Sequence, residues 1–322
     1  MRPGPVVGDE ATGVAATATR VVVAVCTFRR NDALDRLLHA VRRNAATVAP
    51  GVQVGVVVVD DNPDGRAREV CDRHARSYPL GLHYRSCGHG NISLARNAGL
   101  DAALPMSDWI AMTDDDCEPA DTWIASYLET QRATGASALT GPCYLDLGPD
   151  APSWLRQQPF QDDGQLRFAD CERLRTAATN NSFVRSAFLC ERPWLRFEPD
   201  LGVTGGEDMV FFRTAHAAGL DIAFSAGARV IGHEPRVRAT FGYQVRSRFW
   251  LGNTEYVTNA YLGDASPGRW LLLSVKRLVA ALSRPVGRLM LGRRPQFRYA
   301  LASAARAMGN ATGVFGLRAR HH

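Results

Sequence analysis

Lysine is all but missing from this chain: of 38 Lys and Arg residues among 322, Lys276 is the only lysine. Such a bias fits a GC-rich coding sequence better than a chemical demand. Cys-x-x-Cys pairs are absent as well. The seven cysteines, Cys26, Cys71, Cys87, Cys117, Cys143, Cys171 and Cys190, are scattered and odd in number, which argues against a zinc site or a disulfide framework and for reduced thiols. Residues 1–19 lack the apolar run of a signal peptide and read as a disordered lead-in. The most apolar later stretch, Trp270 to Leu282, is broken by Lys276-Arg277 and is too short to span a bilayer. A cytoplasmic protein is expected, in solution or peripheral at the inner face of the cell membrane. Aromatic residues are few, 8% of the chain, and are not spaced as a stacking platform, so no nucleic-acid partner is expected.

What is present is a large apolar fraction, 46%, enough for the core of one large α/β domain with a smaller appendage. Val21 to Cys26 and Val54 to Val59 are continuous β-branched runs, each followed by a helical pattern, as buried parallel strands in β-α-β units require. Helices are expected over Asp32 to Arg43, Asp64 to Ser77, Ser93 to Ala103, from near Pro119, and over Glu207 to Ala218. Further strands are expected at Leu82 to Arg85, Trp109 to Thr113, Asp221 to Phe224 and Arg229 to Ile231. This alternation predicts a doubly wound sheet with its ligand crevice at the carboxyl ends of the strands. Leu145 to Thr179, rich in Pro, Asp, Gly and Gln with Trp154, Phe160 and Phe168 between, reads as a long functional loop. Charge divides the chain. From Glu234 onward fifteen Arg or Lys stand against three acids, whereas the whole chain carries only +6. A basic, mainly helical region over 236–322 thus follows an acidic body over 20–235, and it suits phosphates or an anionic membrane.

Polar clusters close the strands. Asp114-Asp115-Asp116 ends the run Trp109 to Thr113, where three carboxylates repel one another unless a cation or ribose hydroxyls satisfy them. A hard divalent ion, Mn²⁺ or Mg²⁺, bridging the phosphates of a nucleotide sugar fits oxygen ligands of this kind; an acidic turn before a helix is the plainer reading. Asp60-Asp61-Asn62 ends the second strand, where a carboxylate can accept from a base N–H or a ribose, although Asp-Asn-Pro-Asp-Gly is also ordinary turn chemistry. Arg96 stands early on a helix and can face phosphate or ribose. Gly205-Gly206 precede Glu207-Asp208 at a helix start, a placement that suits a general base as well as a simple dipole complement. His233 ends the last strand as a candidate metal ligand.

In this order the segments resemble glycosyltransferase family two, from about Val21 to Arg248. Val-Cys-Thr-Phe-Arg-Arg at 25–30, Val-Asp-Asp-Asn-Pro at 59–63, Gly90 to Asn97, Asp114-Asp115-Asp116 and Glu207-Asp208 correspond to its five motifs. The resemblance implies a GT-A fold, a mixed Rossmann-like sheet flanked by helices, and transfer of one sugar from a nucleoside-diphosphate sugar to an acceptor hydroxyl with inversion. It implies that Thr27, Arg29, Asp60, Asp61, Arg96, Asp114 and Asp115 hold the donor, that Asp116 with His233 holds the metal, and that Asp208, beside Glu207, is the base. The family's processive Gln-x-x-Arg-Trp motif is absent, which favours single-sugar transfer. The acceptor stays open between a lipid-linked glycan, a polysaccharide and a small natural product. Two rival readings are a sugar-nucleotide pyrophosphorylase, whose glycine-rich basic loop is missing after Cys26, and an inactive membrane-associated binding module, which loss of the acidic motifs would favour.

Overall fold

The valine runs become the centre of the sheet. In a computed structural model that describes residues 18–160 and 168–320, β1 (Thr19–Thr27) and β2 (Val52–Asp60) lie parallel and in register from Thr19 opposite Val52 to Thr27 opposite Asp60. Val21 to Val23 and Val56 to Val59 are fully buried, as strands covered by helices on both faces must be. Around them α1 (Asn31–Thr47), α2 (Ala67–His74), β3 (Leu82–Ser86), α3 (Ile92–Ala103) and β4 (Trp109–Thr113) complete the alternating unit. The lead-in proposed for 1–19 falls largely outside the described residues, and Thr19 already belongs to β1.

After β4 the alternation stops. The short strands β5 (Cys117–Pro119), β6 (Ala138–Thr140), β7 (Cys143–Asp146), β8 (Arg173–Leu174), β9 (Asn181–Arg185), β10 (Ile222–Phe224) and β11 (Val230–His233) are threaded between α4 (Trp123–Thr134), α5 (Ser153–Gln157), α6 (Ser186–Cys190) and α7 (Glu207–Ala217). The main sheet runs β3-β2-β1-β4-β9-β6-β10-β8, and β5-β11-β7 form a second, three-stranded sheet. Because β9 pairs antiparallel with both β4 and β6, the sheet is mixed. Asn181, with no exposed surface, joins the two sheets. Its side-chain oxygen accepts from the Trp123 indole at 2.8 Å and from Tyr127, and its amide donates to the carbonyls of Pro142 at 3.0 Å and Ala228 at 2.8 Å.

The 145–179 segment departs from the expected loop. Of its described residues, α5 and β8 are ordered elements, Trp154 packs edge-on against Phe160 and Phe241, and Phe160 against Tyr299. Apolar burial, not flexibility, fixes this part; residues 161–167 lie outside the described residues. The chain then ends in α8 (Phe241–Tyr261), α9 (Pro267–Met290) and α10 (Phe297–Val314). Among the described residues no helix is long and apolar enough to cross a membrane, and no disulfide joins any of the seven cysteines.

Candidate active site

Strand β1 ends at Thr27, and the chain turns at Arg29 with φ of 58°. For a residue with a Cβ this left-handed conformation costs about 1–2 kcal/mol, a strain that persists where surrounding contacts fix it. Beyond the turn, Arg30 reaches the end of β4, where its Nη1 donates to Asp115 Oδ1 at 3.0 Å and to Asp116 Oδ2 at 2.8 Å. Thr27 Oγ1 donates to the other oxygen of Asp115 at 2.9 Å. A guanidinium therefore lies on two of the three carboxylates whose repulsion the sequence makes evident. Burial pushes the Asp115 carboxyl up to about 6, against the opposing pull of Arg30. Asp116 is raised by burial and by the charge of Asp114, again against Arg30.

A second arginine ties the acid triplet to the Glu-Asp pair. From α3, the largely buried Arg96 donates to Asp114 Oδ1 at 3.3 Å and to Glu207 Oε1. Burial disfavours its charge, but Glu207, Asp114 and Asp208 more than restore it. Burial likewise raises the proton affinity of Glu207 and of Asp208, in both cases opposed by Arg96. Glu207 Oε2 is buried with no partner. Asp208 Oδ1 accepts from the Met209 N–H at 2.7 Å. Gly205 and Gly206 place the start of α7, with φ of 84° and 89°. A Cβ on Gly205 would overlap Trp250, and one on Gly206 would overlap Thr254 and Thr258, so α8 leaves room for glycine alone.

The remaining expected residues are held differently. Asp60 accepts from the N–H groups of Asn62 and Ala67, both at 3.0 Å, and from the Tyr84 hydroxyl at 3.1 Å; both oxygens hold the turn and the start of α2. Asp61 accepts from the N–H groups of His89, Gly90 and Asn91 at 2.7–3.1 Å. The His233 ring lies between Glu118, 3.0 Å from Nε2, and Asp146, 3.5 Å from Nδ1. Arg29 sits 3.4 Å from Asn62 Oδ1 and lines, with Arg30, Arg66, Asp116, His233 and Arg236, a cavity of about 1100 Å³. Arg30, Arg66 and Arg236 were not singled out from sequence. The Arg29-Arg30 pair directly after a buried strand was the available signal for the first.

Hard carboxylate oxygens fit a divalent cation, and the crevice already accommodates a positive group on Asp115 and Asp116. The ligand set expected around Asp116 and His233 is not gathered, however. Among the described residues, the ligand atoms of three His, Cys, Asp or Glu side chains lie within 4.8 Å of one another only at Asp35, His39 and His74, on α1 and α2, where the Arg73 guanidinium also holds Asp35 at 3.1 Å.

A mixed α/β sheet with acids and arginines facing one another across its strand ends is the architecture that the resemblance to a GT-A glycosyltransferase implies. The chain belongs to glycosyl transferase family 2, whose family model matches residues 22–192. It is 36% identical over 234 residues to the succinoglycan biosynthesis protein ExoM of Rhizobium meliloti (strain 1021), covering 72% of each chain. It is 25% identical over 281 residues to a glucosyl-dolichyl phosphate glucuronosyltransferase of Haloferax volcanii, 82% of this chain and 85% of that one. Among solved structures it resembles S. aureus TarS 1-349 in complex with UDP-GlcNAc, with a TM-score of 0.53, 13% identity and 92% of each chain covered. It also resembles GalNAc-T7 with UDP, GalNAc and Mn²⁺, with a TM-score of 0.50, 16% identity and 76% of this chain against 52% of that one.

Proposed function

We propose that this glycosyltransferase moves a single sugar from a nucleoside-diphosphate sugar to an acceptor hydroxyl with inversion. The observation that carries the reading is Arg96, which bridges Asp114 and Glu207 and so puts the acid triplet and the Glu-Asp pair in one crevice. Asp208 is the base: burial raises its affinity for a proton, the direction a general base working near neutral pH requires. Arg29, Arg30, Arg66 and Arg236 around the cavity suit the charge of a diphosphate. Asp114 and Asp116 are the residues to hold Mn²⁺ or Mg²⁺, which when bound neutralises the charge that develops on the leaving diphosphate. Thr27 and Asp61 line the nucleotide side, the first by holding Asp115 and the second by holding the loop at 89–91, while Asp60 serves the turn. Catalytic elements are assigned to residues 20–235, followed by the basic, mainly helical region over 236–322.

For the acceptor we favour a lipid-linked glycan handled by an enzyme peripheral to an anionic membrane. Two features support this. One relative's name carries dolichyl phosphate. On α9, Leu272, Val275, Val279, Leu282, Val286 and Leu289 are all exposed, a stripe at alternating spacings of three and four. No acid occurs on this helix, and Arg269 and Lys276 flank the stripe, which fits a helix lying among anionic headgroups better than pairing of two equally basic copies.

Calorimetric titration of the Asp116→Asn variant with UDP in the presence and absence of Mn²⁺ tests the donor site. The metal-dependent part of the binding should vanish while the fold persists. Unchanged metal-dependent binding would refute the assignment.

A further inference from the structure

The helical bundle at the carboxyl end carries an open cavity of about 250 Å³, remote in sequence from the donor motifs and lined by Arg248, Arg277, Arg284 and Arg306 together with Tyr299 and Ser303. At a liquid share of ~30 Å³ per water this is room for roughly eight waters. Four guanidinium groups line it, and two of them, Arg277 and Arg306, share one carboxylate, Glu255. Glu255 accepts from Arg277 through both oxygens at 2.9 Å, and its Oε2 also accepts from Arg306 at 3.1 Å and from the Asn310 amide at 3.4 Å. Burial works against its charge, and the Arg277 hydrogen bonds with the charges of Arg306 and Arg277 outweigh it.

Arg248 and Arg284 have no acidic partner among the described residues. Arg248 donates to the Phe160 carbonyl at 2.9 Å and stacks near the Phe160 and Tyr299 rings. Arg284 lies 4.7 Å from the Tyr299 ring centre. Burial and the neighbouring Arg306 depress the proton affinity of Arg248, the signature of a cation held where a countercharge is wanting. Arg306 Nε is buried with no hydrogen-bond partner. Like charges crowded together repel unless an anion satisfies them, and arginine's planar fork is shaped for phosphate oxygens.

We infer that this cavity is a binding site for a phosphate or diphosphate group, separate from the donor crevice, with Arg248, Arg284 and Arg306 as its ligands and Arg277-Glu255 as the frame that holds them. The class is a phosphate anion, carried on a lipid or free in solution. Arg277 and Arg284 sit on the same helix as the exposed apolar stripe, on the opposite side of it, so the site and the stripe are separate surfaces of α9. The site stands without the donor reading and depends on the membrane reading only for the source of the phosphate.

Inorganic pyrophosphate is the probe, titrated into the full chain by calorimetry with UDP and Mn²⁺ at saturation. Wild type should bind about one pyrophosphate, and Arg248→Gln and Arg284→Gln should each weaken it about tenfold, the usual worth of a charge-assisted bond, while Arg248→Lys falls between. Arg284 is exposed, so its variant keeps the test open if Arg248→Gln fails to fold. UDP binding by the same variants reports the donor crevice independently. Absence of pyrophosphate binding by the wild type, or equal binding by all variants, overturns the proposal. Phosphatidylcholine vesicles with and without phosphatidic acid assign the source. Pelleting that needs phosphatidic acid and is lost with both glutamine variants supports the site with a lipid-borne phosphate. Pyrophosphate binding lost in both variants, with vesicle pelleting unchanged, supports it with a soluble one.

Discussion

The donor crevice and the helical bundle solve opposite charge problems with the same residue. In the crevice, acids outnumber the arginines that join them: Arg30 serves Asp115 and Asp116, and Arg96 serves Asp114 and Glu207. In the bundle the ratio is reversed, and Glu255 alone answers Arg277 and Arg306 while Arg248 and Arg284 rest on aromatic rings. Each region is short of one sign of charge, and the missing sign differs. A cation would complete the first and an anion the second, so the overall +6 of the chain describes neither.

The comparison breaks most severely at Asp208. Replacement by Asn should lower turnover by roughly two to four orders of magnitude with UDP affinity nearly kept, measured by steady-state kinetics beside calorimetry. Turnover within a few-fold of wild type would assign the base elsewhere. In the bundle the damage should be to stability. Glu255→Gln leaves two arginines, each about one third exposed, without their countercharge and should cost about 1–3 kcal/mol, read by urea denaturation, with pyrophosphate restoring part of the loss. A cost below about 1 kcal/mol would mean that water already satisfies these cations.

Asp115 sharpens the contrast through pH. Its carboxyl lies at about 6 in the folded chain against 3.8 ordinarily, a difference worth about 3 kcal/mol at most. The folded state is thus favoured at low pH by a contribution that is complete below about pH 4 and is lost as pH rises through 6. Asp115→Asn should remove that slope. The wild-type Tm, measured against the variant's at pH 4, 5, 6 and 7, should fall with rising pH, and parallel curves would refute the effect. Smallest in stability terms is the outer face of α9. A Val279→Ser, Leu282→Ser pair should leave ΔG within about 0.5 kcal/mol per site and yet reduce pelleting with anionic vesicles. Undiminished pelleting would exclude the stripe as the membrane face.

How far the sequence could be read follows from the same physics. β1, β2 and β4 are legible because strands buried on both faces are written as unbroken apolar runs, and the polar clusters that follow them mark the crevice. β9 is not. Asn181-Ser182-Phe183-Val184-Arg185 carries no such pattern, because its buried amide is paid for by four hydrogen bonds formed across the fold. α2 begins three residues later than its pattern suggests, since Asp64-Gly65 are spent on a turn and the Asp60 carboxylate caps the Ala67 N–H. Arg30 pairs across 85 and 86 residues of sequence, a partnership that no local window contains. Asp60 and Asp61 occupy the strand end that was read for them, but their oxygens face backbone N–H groups, which residue identity alone does not disclose.

The packing of α8 against Gly205-Gly206 has a mechanical corollary. The Trp250 indole and the Thr254 hydroxyl both donate to the Thr204 carbonyl, at 2.6 and 3.2 Å, while Thr254 and Thr258 close over Gly206. Arg248, on the same helix, faces the arginine cavity. Helix α8 thus touches both the start of α7 and the arginine cavity, so the two places share one packing element. A chimera joined between residues 206 and 250 should therefore repack Gly205-Gly206 against another protein's α8 and shift the seating of Glu207 and Asp208.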